Sequence, residues 1–291
     1  MAWRTVFVNE HAKINYKMND INIQTKEGGT RIPIDDIRVL ILGNTRTVIT
    51  SYAVNELQKK NVKIINCDEK GMPVGEFLSY CDNTKQNINI WKQFDWAENR
   101  KNLLWQKIVQ TKIFNQHQAL GEKVIANYGK LKEIGLEVKE ADEDNREGQA
   151  ARLYFPRIFD KDFVRSNDSL KANAHLNYGY SILLSAVSRE IVAAGFLTQI
   201  GVHHQSQTNP FNLASDLMEP FRPYVDRIVK WQRDSPLTLE HKLNLVSVLN
   251  EEITMNSKRY ELAQAVQKHV QECLKYLCSD DSELPEMDFE L

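Results

Sequence analysis

Between Phe211 and Pro223 the chain reads FNLASDLMEPFRP, and a His203–His204 pair stands shortly before it. Asp216, Glu219 and Arg222 recur at intervals of three. On a helix that spacing stacks the three side chains along one face. Two carboxylates and a guanidinium, with an imidazole close by in sequence, suit a metal ion acting on a phosphate ester. Plainer readings exist for each residue. Acids in the first turns of a helix complement its dipole. Pro220 marks either an early-turn position or a kink. Arg222 stands four residues before Asp226, the spacing of an ion pair on a helix. Leu213, Leu217 and Phe221 read as the apolar stripe of that helix.

A third acid, Glu147, lies in DNREGQAARLYF. Asp144 followed three residues later by Glu147 and then an apolar run is a capping-box pattern, so a helix cap competes with a functional role. Arg146 and Arg152 flank it and suit either solvation or phosphate contact. His203 and His204 follow Gly201 in a loop between two helices, where imidazoles are commonly solvent-facing but can also ligate a divalent ion. Adjacent residues seldom aim at one point, so one ligand is expected from the pair. Two acids and one imidazole make an oxygen-rich donor set that favours Mg²⁺ or Mn²⁺ over zinc. The chain shows no phosphate-cradling glycine loop, no G-x-S-x-G elbow and no HExxH motif.

These residues must be positioned by the elements around them. The first eighty or so residues alternate apolar and polar side chains, as in Val6, Val8 and Ile14, Tyr16, Met18 and Ile21, Ile23, with turns at Glu27-Gly28-Gly29 and around Gly71 and Pro73. Val39–Leu42 reads as a buried strand and 51–60 as one short helix. From Trp91 onward helical periods dominate, clearest in Tyr180, Leu183, Leu184, Val187 and Ile191, with Gly195 as the stop, and in Val266, Val270, Cys273, Leu274 and Leu277. The expected fold class is α+β: an N-terminal β-sandwich domain over residues 1–83, a linker at 84–90, a larger all-α catalytic domain over 91–278, and an acidic flexible tail at 279–291.

With 291 residues, 42% hydrophobic and 26% charged, the chain has the composition of a soluble globular protein with room for two cores. No apolar run is long enough for a membrane span, and the start MAWRTVFVNE lacks a secretory signal. Cys67, Cys81, Cys273 and Cys278 fit no common zinc spacing and predict reduced thiols in a cytoplasm. The net charge of −2 is not that of a typical nucleic-acid binder. Six acids and no Lys or Arg fall in the last thirteen residues, however, leaving 37 basic against 33 acidic residues in the body. A basic stripe is therefore compatible with the balance.

NREGQAARLYF, LNYGYSILLSAV, IGVHH and FNLASDLMEPFRPYVD, in that order across residues 140–230, strongly resemble the first CRISPR-associated protein family (Cas-one), the integrase of CRISPR adaptation. WRTVFVN and VKIINCDEKGMPVGEF look like its type II branch, which travels with a DNA-cleaving effector nuclease. The resemblance implies a β-sandwich N-terminal domain and a helical catalytic domain. It implies a catalytic metal site of one Glu, one His and one further acid, falling on Glu147, His204 and Glu219, with Mg²⁺ or Mn²⁺ as cofactor. Asp216 matches an acidic position near the metal, as a supporting residue or alternate ligand. Arg222 matches a DNA-contacting basic position; Arg146, Arg152 and His203 are further candidates for DNA contact. The implied reaction joins 3′-hydroxyl ends of new spacer DNA to the repeat array. The implied partners are double-stranded DNA, a second copy of the chain, a smaller second CRISPR-associated protein bridging two dimers, and by extension other adaptation proteins and the effector nuclease. Two other readings share parts of this pattern: a metal-dependent nuclease on branched or single-stranded DNA without integration, and a non-catalytic helical scaffold.

Overall fold

The structure, a computed structural model, describes residues 4–69, 71–77, 85–121 and 128–290. Cys81 and the part of the expected linker before residue 85 lie outside them. The chain divides into two compact units, Met1–Thr84 and Lys85–Leu291. Among the described residues, no helix is long and apolar enough to cross a membrane.

The first unit runs β1 (Arg4–Val8), β2 (Lys13–Lys17), β3 (Asp20–Gln24), β4 (Gly29–Pro33), β5 (Ile37–Leu42), β6 (Val48–Ile49), α1 (Ser51–Lys59), β7 (Lys63–Cys67) and β8 (Pro73–Phe77). It forms two four-stranded sheets, in the orders β1-β5-β7-β8 and β4-β3-β2-β6. β2 and β3 close through a two-residue turn at Met18 and Asn19, both at positive φ, so Met18 leaves the strand alternation and points to solvent. β5 reads as a continuous apolar run because it pairs in parallel on both edges, with β1 and β7, and lies at the centre of its sheet. Ile14, Ile21, Leu40 and Ile64 from the strands meet Ala53 and Leu57 of α1 in one core. Thr50 caps α1 by accepting the N–H of Ala53.

The second unit contains α2 (Gln86–Phe94), α3 (Glu98–Leu120), α4 (Tyr128–Leu136), α5 (Arg146–Ile158), α6 (Lys171–Ala193), α7 (Asn212–Leu217), α8 (Arg222–Gln232), α9 (Leu239–Ser247), β9 (Glu252–Met255), β10 (Lys258–Glu261), α10 (Leu262–Cys278) and β11 (Phe289–Glu290). The α+β class and the order of sheets before helices are as the sequence predicts. Three details differ. Helix α2 starts at Gln86, inside the expected linker, because Asn89 and Gln93 bind the backbone of Ala194, Leu197 and Ile200 and anchor it. A small sheet, β10-β9-β11, interrupts the helices. The acidic end is not a free tail over its described residues. β11 pairs with β9, Phe289 is buried against Phe221, and α3 holds the segment by Thr111 to the Met287 carbonyl and Gln118 to the Phe289 carbonyl.

Helix α3 is the axis of this unit, packing against α4, α5, α8 and α10. It is buried on several faces and therefore lacks a clean polar stripe: Thr111, Lys112, Asn115 and Gln116 are buried beside Trp105, Ile108, Val109 and Ile113. The buried polar residues are the ones that organise the site.

Candidate active site

Each site residue is placed by a local break in helical structure. Glu147 lies in the first turn of α5. The expected capping box does not form: Asn145 caps the helix by accepting the N–H of Gly148, and Asp142 accepts those of Arg146 and Glu147. Asp144 pairs instead with Lys139. Glu147 is thus free of capping, and its carboxylate meets Lys112.

Asp216, Glu219 and Arg222 do not share one helical face. Pro220 and Pro223 lack the N–H groups a continuous helix needs, so α7 and α8 are separated by a 3-10 turn at Glu219–Phe221. Asn115 of α3 donates to the Pro220 carbonyl at 2.8 Å and fixes that turn. Phe221 behind it packs edge-on against Phe289 and His269. Asp216 faces the histidine loop, whereas Glu219 faces α3.

The two oxygens of the fully buried Asp216 accept the backbone N–H groups of Val202, His203 and His204 and contact His204 Nδ1 at 2.5 Å. Gly201 is required here, since a Cβ would stand 2.4 Å from the His204 carbonyl and 2.7 Å from Asp216 Oδ2. Of the two roles open to Asp216, the geometry fits support of His204. Bonding Nδ1 to a carboxylate leaves Nε2 as the ring's other donor site, the arrangement common in metal-ligating histidines. The bond to Asp216 raises the His204 pKa, and Glu219 and Glu147 add to the rise. His203 stacks flat on Trp105, centroids 4.3 Å apart.

Lys112 joins the two acids. Its Nζ is 2.5 Å from Glu147 Oε1 and 2.5 Å from Glu219 Oε2, the latter an ion-pair contact off the line of a hydrogen bond. Arg222 Nη2 reaches Glu219 Oε1 at 2.9 Å, and its guanidinium lies over the Tyr180 ring at 4.7 Å. The Lys112 charge holds the Glu147 carboxyl below its usual range despite burial. Burial pulls the Lys112 ammonium down, but Glu219 and Glu147 outweigh it and raise its pKa. The side chain of Glu219 is 4% exposed and that of His204 42%, so the cluster is closed at Glu219 and open at His204.

Glu147 and Glu219 therefore converge, with His204 in electrostatic range of both. Among the described residues, no three His, Cys, Asp or Glu side chains stand together as a ready metal cage. Arg146 pairs with Glu137 at 2.9 Å, while Arg152 and His203 are exposed. Arg222 does not pair with Asp226, whose carboxylate instead accepts from Tyr154 and Tyr180. Lys112 escapes motif reading. Its signal is a lysine at the helical spacing of Trp105, Ile108 and Val109, an apolar stripe where an ammonium requires an acid partner.

A family model described as CRISPR associated protein Cas1 matches residues 6–234. The CRISPR-associated endonuclease Cas1 of Neisseria meningitidis serogroup C (strain 8013) is 34% identical over 278 residues, covering 93% of this chain and 90% of that protein. Among solved structures, a casposase bound to integration product is similar at a TM-score of 0.78 and 20% identity, over 98% of this chain and 95% of that one. A Cas6-RT-Cas1–Cas2 complex is similar at 0.77 and 20% identity, over 99% of this chain and 36% of that one. The chain belongs to the CRISPR-associated Cas1 family and is an enzyme of that family.

Proposed function

We propose that the chain is a divalent-metal-dependent DNA integrase and endonuclease, joining 3′-hydroxyl ends of new spacer DNA to the repeat array of CRISPR adaptation. The observation that carries the reading is the convergence of Glu147 and Glu219 on one positive charge, beside a histidine whose Nδ1 is held by a buried acid. The donor set fits Mg²⁺ or Mn²⁺: two carboxylates and an imidazole nitrogen, with no thiolate. Glu147, Glu219 and His204 Nε2 would hold the ion. When bound, it would supply Lewis-acid stabilisation of charge on the phosphate and lower the pKa of the attacking hydroxyl.

The protein's own part is positional. Asp216 fixes the tautomer and direction of His204 by taking the proton on Nδ1 into its hydrogen bond. Asn115 and the two prolines set the turn that presents Glu219. Arg222 offsets the charge of Glu219 and places a guanidinium beside the carboxylates, where a phosphodiester oxygen is a fitting partner. One phosphodiester forms as another breaks, so no nucleotide is needed to drive the transfer.

The same reading assigns double-stranded DNA, a second copy of the chain and the smaller CRISPR-associated protein as partners, in the cytoplasm. The similar casposase structure holds an integration product, and the similar complex contains Cas2. Glu147→Ala, His204→Ala and Glu219→Ala are each expected to slow strand transfer on the order of 10²-fold or more with DNA affinity nearly intact, while Glu219→Ala, which deprives the Lys112 and Arg222 charges of a partner, also lowers stability. The measurement is joining of a labelled duplex to a repeat-bearing supercoiled plasmid in Mn²⁺ or Mg²⁺. Unchanged joining in the three variants overturns the site. Cutting without joining by the wild type leaves a nuclease in place of an integrase.

A further inference from the structure

A lysine on the buried face of a helix needs a reason, because its ammonium loses hydration there. Lys112 lies among Trp105, Ile108, Val109 and Ile113 of α3, and its Nζ touches one oxygen each of Glu147 and Glu219. Those two oxygens are therefore at most about 5 Å apart, with a single cation between them. Without that charge the two carboxylates would repel in a site largely closed to water. The contact with Glu219 is off the axis of a hydrogen bond, so the ammonium acts on it as a point charge. A lysine suits this work better than an arginine. Its charge is compact and sits on a flexible four-carbon stem, so it can withdraw without moving the backbone.

We propose that Lys112 is an internal substitute cation, holding Glu147 and Glu219 together while no divalent ion is bound and leaving the space between them when one binds. The proposal rests on the metal-site reading above and adds a competitor to it. Binding of the ion breaks two contacts of Lys112, so this residue weakens metal affinity while stabilising the metal-free protein. A lysine that merely braces the fold would stay paired with the outer carboxylate oxygens and leave affinity unchanged.

The test compares the EDTA-stripped full chain with its Lys112→Met variant, each titrated with Mn²⁺ by calorimetry. The variant is expected to bind Mn²⁺ about tenfold more tightly or better. Its Tm in EDTA should fall, and saturating Mn²⁺ should return it close to the wild-type value. A second measurement needs no variant: acylation of lysines in the wild type, read by peptide mass spectrometry. Lys112 should be shielded in EDTA and labelled faster with saturating Mg²⁺. Equal or weaker Mn²⁺ binding by Lys112→Met, or labelling indifferent to Mg²⁺, overturns the role of Lys112 alone. Failure of both proteins to bind Mn²⁺ overturns the metal site and this proposal with it.

Discussion

Helices α5 and α8 each contribute to two buried acid clusters, and the two are neutralised by opposite means. At the first, Glu147 and Glu219 face the full charges of Lys112 and Arg222. One turn further along α8, Asp226 takes its hydrogen bonds from the hydroxyls of Tyr154 and Tyr180, with no cation in direct contact among the described residues. Burial pushes the Asp226 carboxyl up to about 6, although both tyrosine hydrogen bonds and Arg222 pull it down. The first cluster opens to solvent through Glu147 and His204, whereas Asp226 is 1% exposed. A cation on a flexible stem can be exchanged for another cation. A tyrosine hydroxyl fixed in a helix core cannot. On the reading proposed above the charged cluster receives a ligand, whereas the neutral one locks α5, α6 and α8 together.

Asp216 tests this contrast most severely, since it serves the charged cluster by a third means, three backbone N–H groups. Asp216→Ala leaves those buried donors and the His204 ring without an acceptor. The expected loss is roughly 3–5 kcal/mol of stability, together with strand transfer. Urea unfolding checks the first and the joining assay the second. A loss below about 1 kcal/mol would show that other groups, such as water, replace the carboxylate.

The neutral cluster makes a pH prediction with a compensating partner. Asp226 has a folded pKa of about 6, above its unfolded value, so its contribution is full below about pH 4 and lost as pH rises to 6. His269, buried behind the 3-10 turn, is lowered to about 4, so its contribution is full above about pH 6.5 and lost as pH falls to 4. Each amounts to roughly 3 kcal/mol. The two oppose across pH 4–6 and flatten the wild-type profile. Asp226→Asn removes one side. Its Tm should exceed that of the wild type at neutral pH and fall steeply on acidification. A variant profile parallel to the wild type would sink the assignment of the raised pKa to Asp226.

The neighbouring acids also show what the linear chain reveals. The order of sheets before helices, the stop at Gly195 and the motif acids were legible, because period and short spacing are local properties. Asp216 and Glu219 stood out as acids of one motif but not as residues facing different ways, since the bend depends on Asn115 of α3 gripping Pro220. Lys112 was missed because its partners lie far along the chain, and no local period points to them. The end segment was misread for another reason. Glu286, Met287, Asp288, Phe289 and Glu290 alternate polar and apolar, a strand signal that the count of six acids obscured. Met287 and Phe289 are buried while the alternating acids stay exposed, where their charges keep their hydration.

The smallest expected effect decides whether the two clusters are energetically separate. The Tyr180 ring lies under the Arg222 guanidinium, while its hydroxyl donates to Asp226 Oδ1 at 2.5 Å. Tyr180→Phe removes only the hydroxyl. It should cost about 1–2 kcal/mol near pH 8, where Asp226 is ionised and has lost a donor, and less near pH 4, where the carboxyl is protonated. The ring under Arg222 remains, so strand transfer should stay close to the wild-type rate. Tyr180→Leu removes the ring as well, loosens the guanidinium that faces Glu219, and should lower transfer beyond its loss of stability. If Tyr180→Phe lowers transfer as much as Tyr180→Leu, the hydroxyl network and the charged cluster act as one unit. The division between a cation-exchanging site and a sealed lock would then fail.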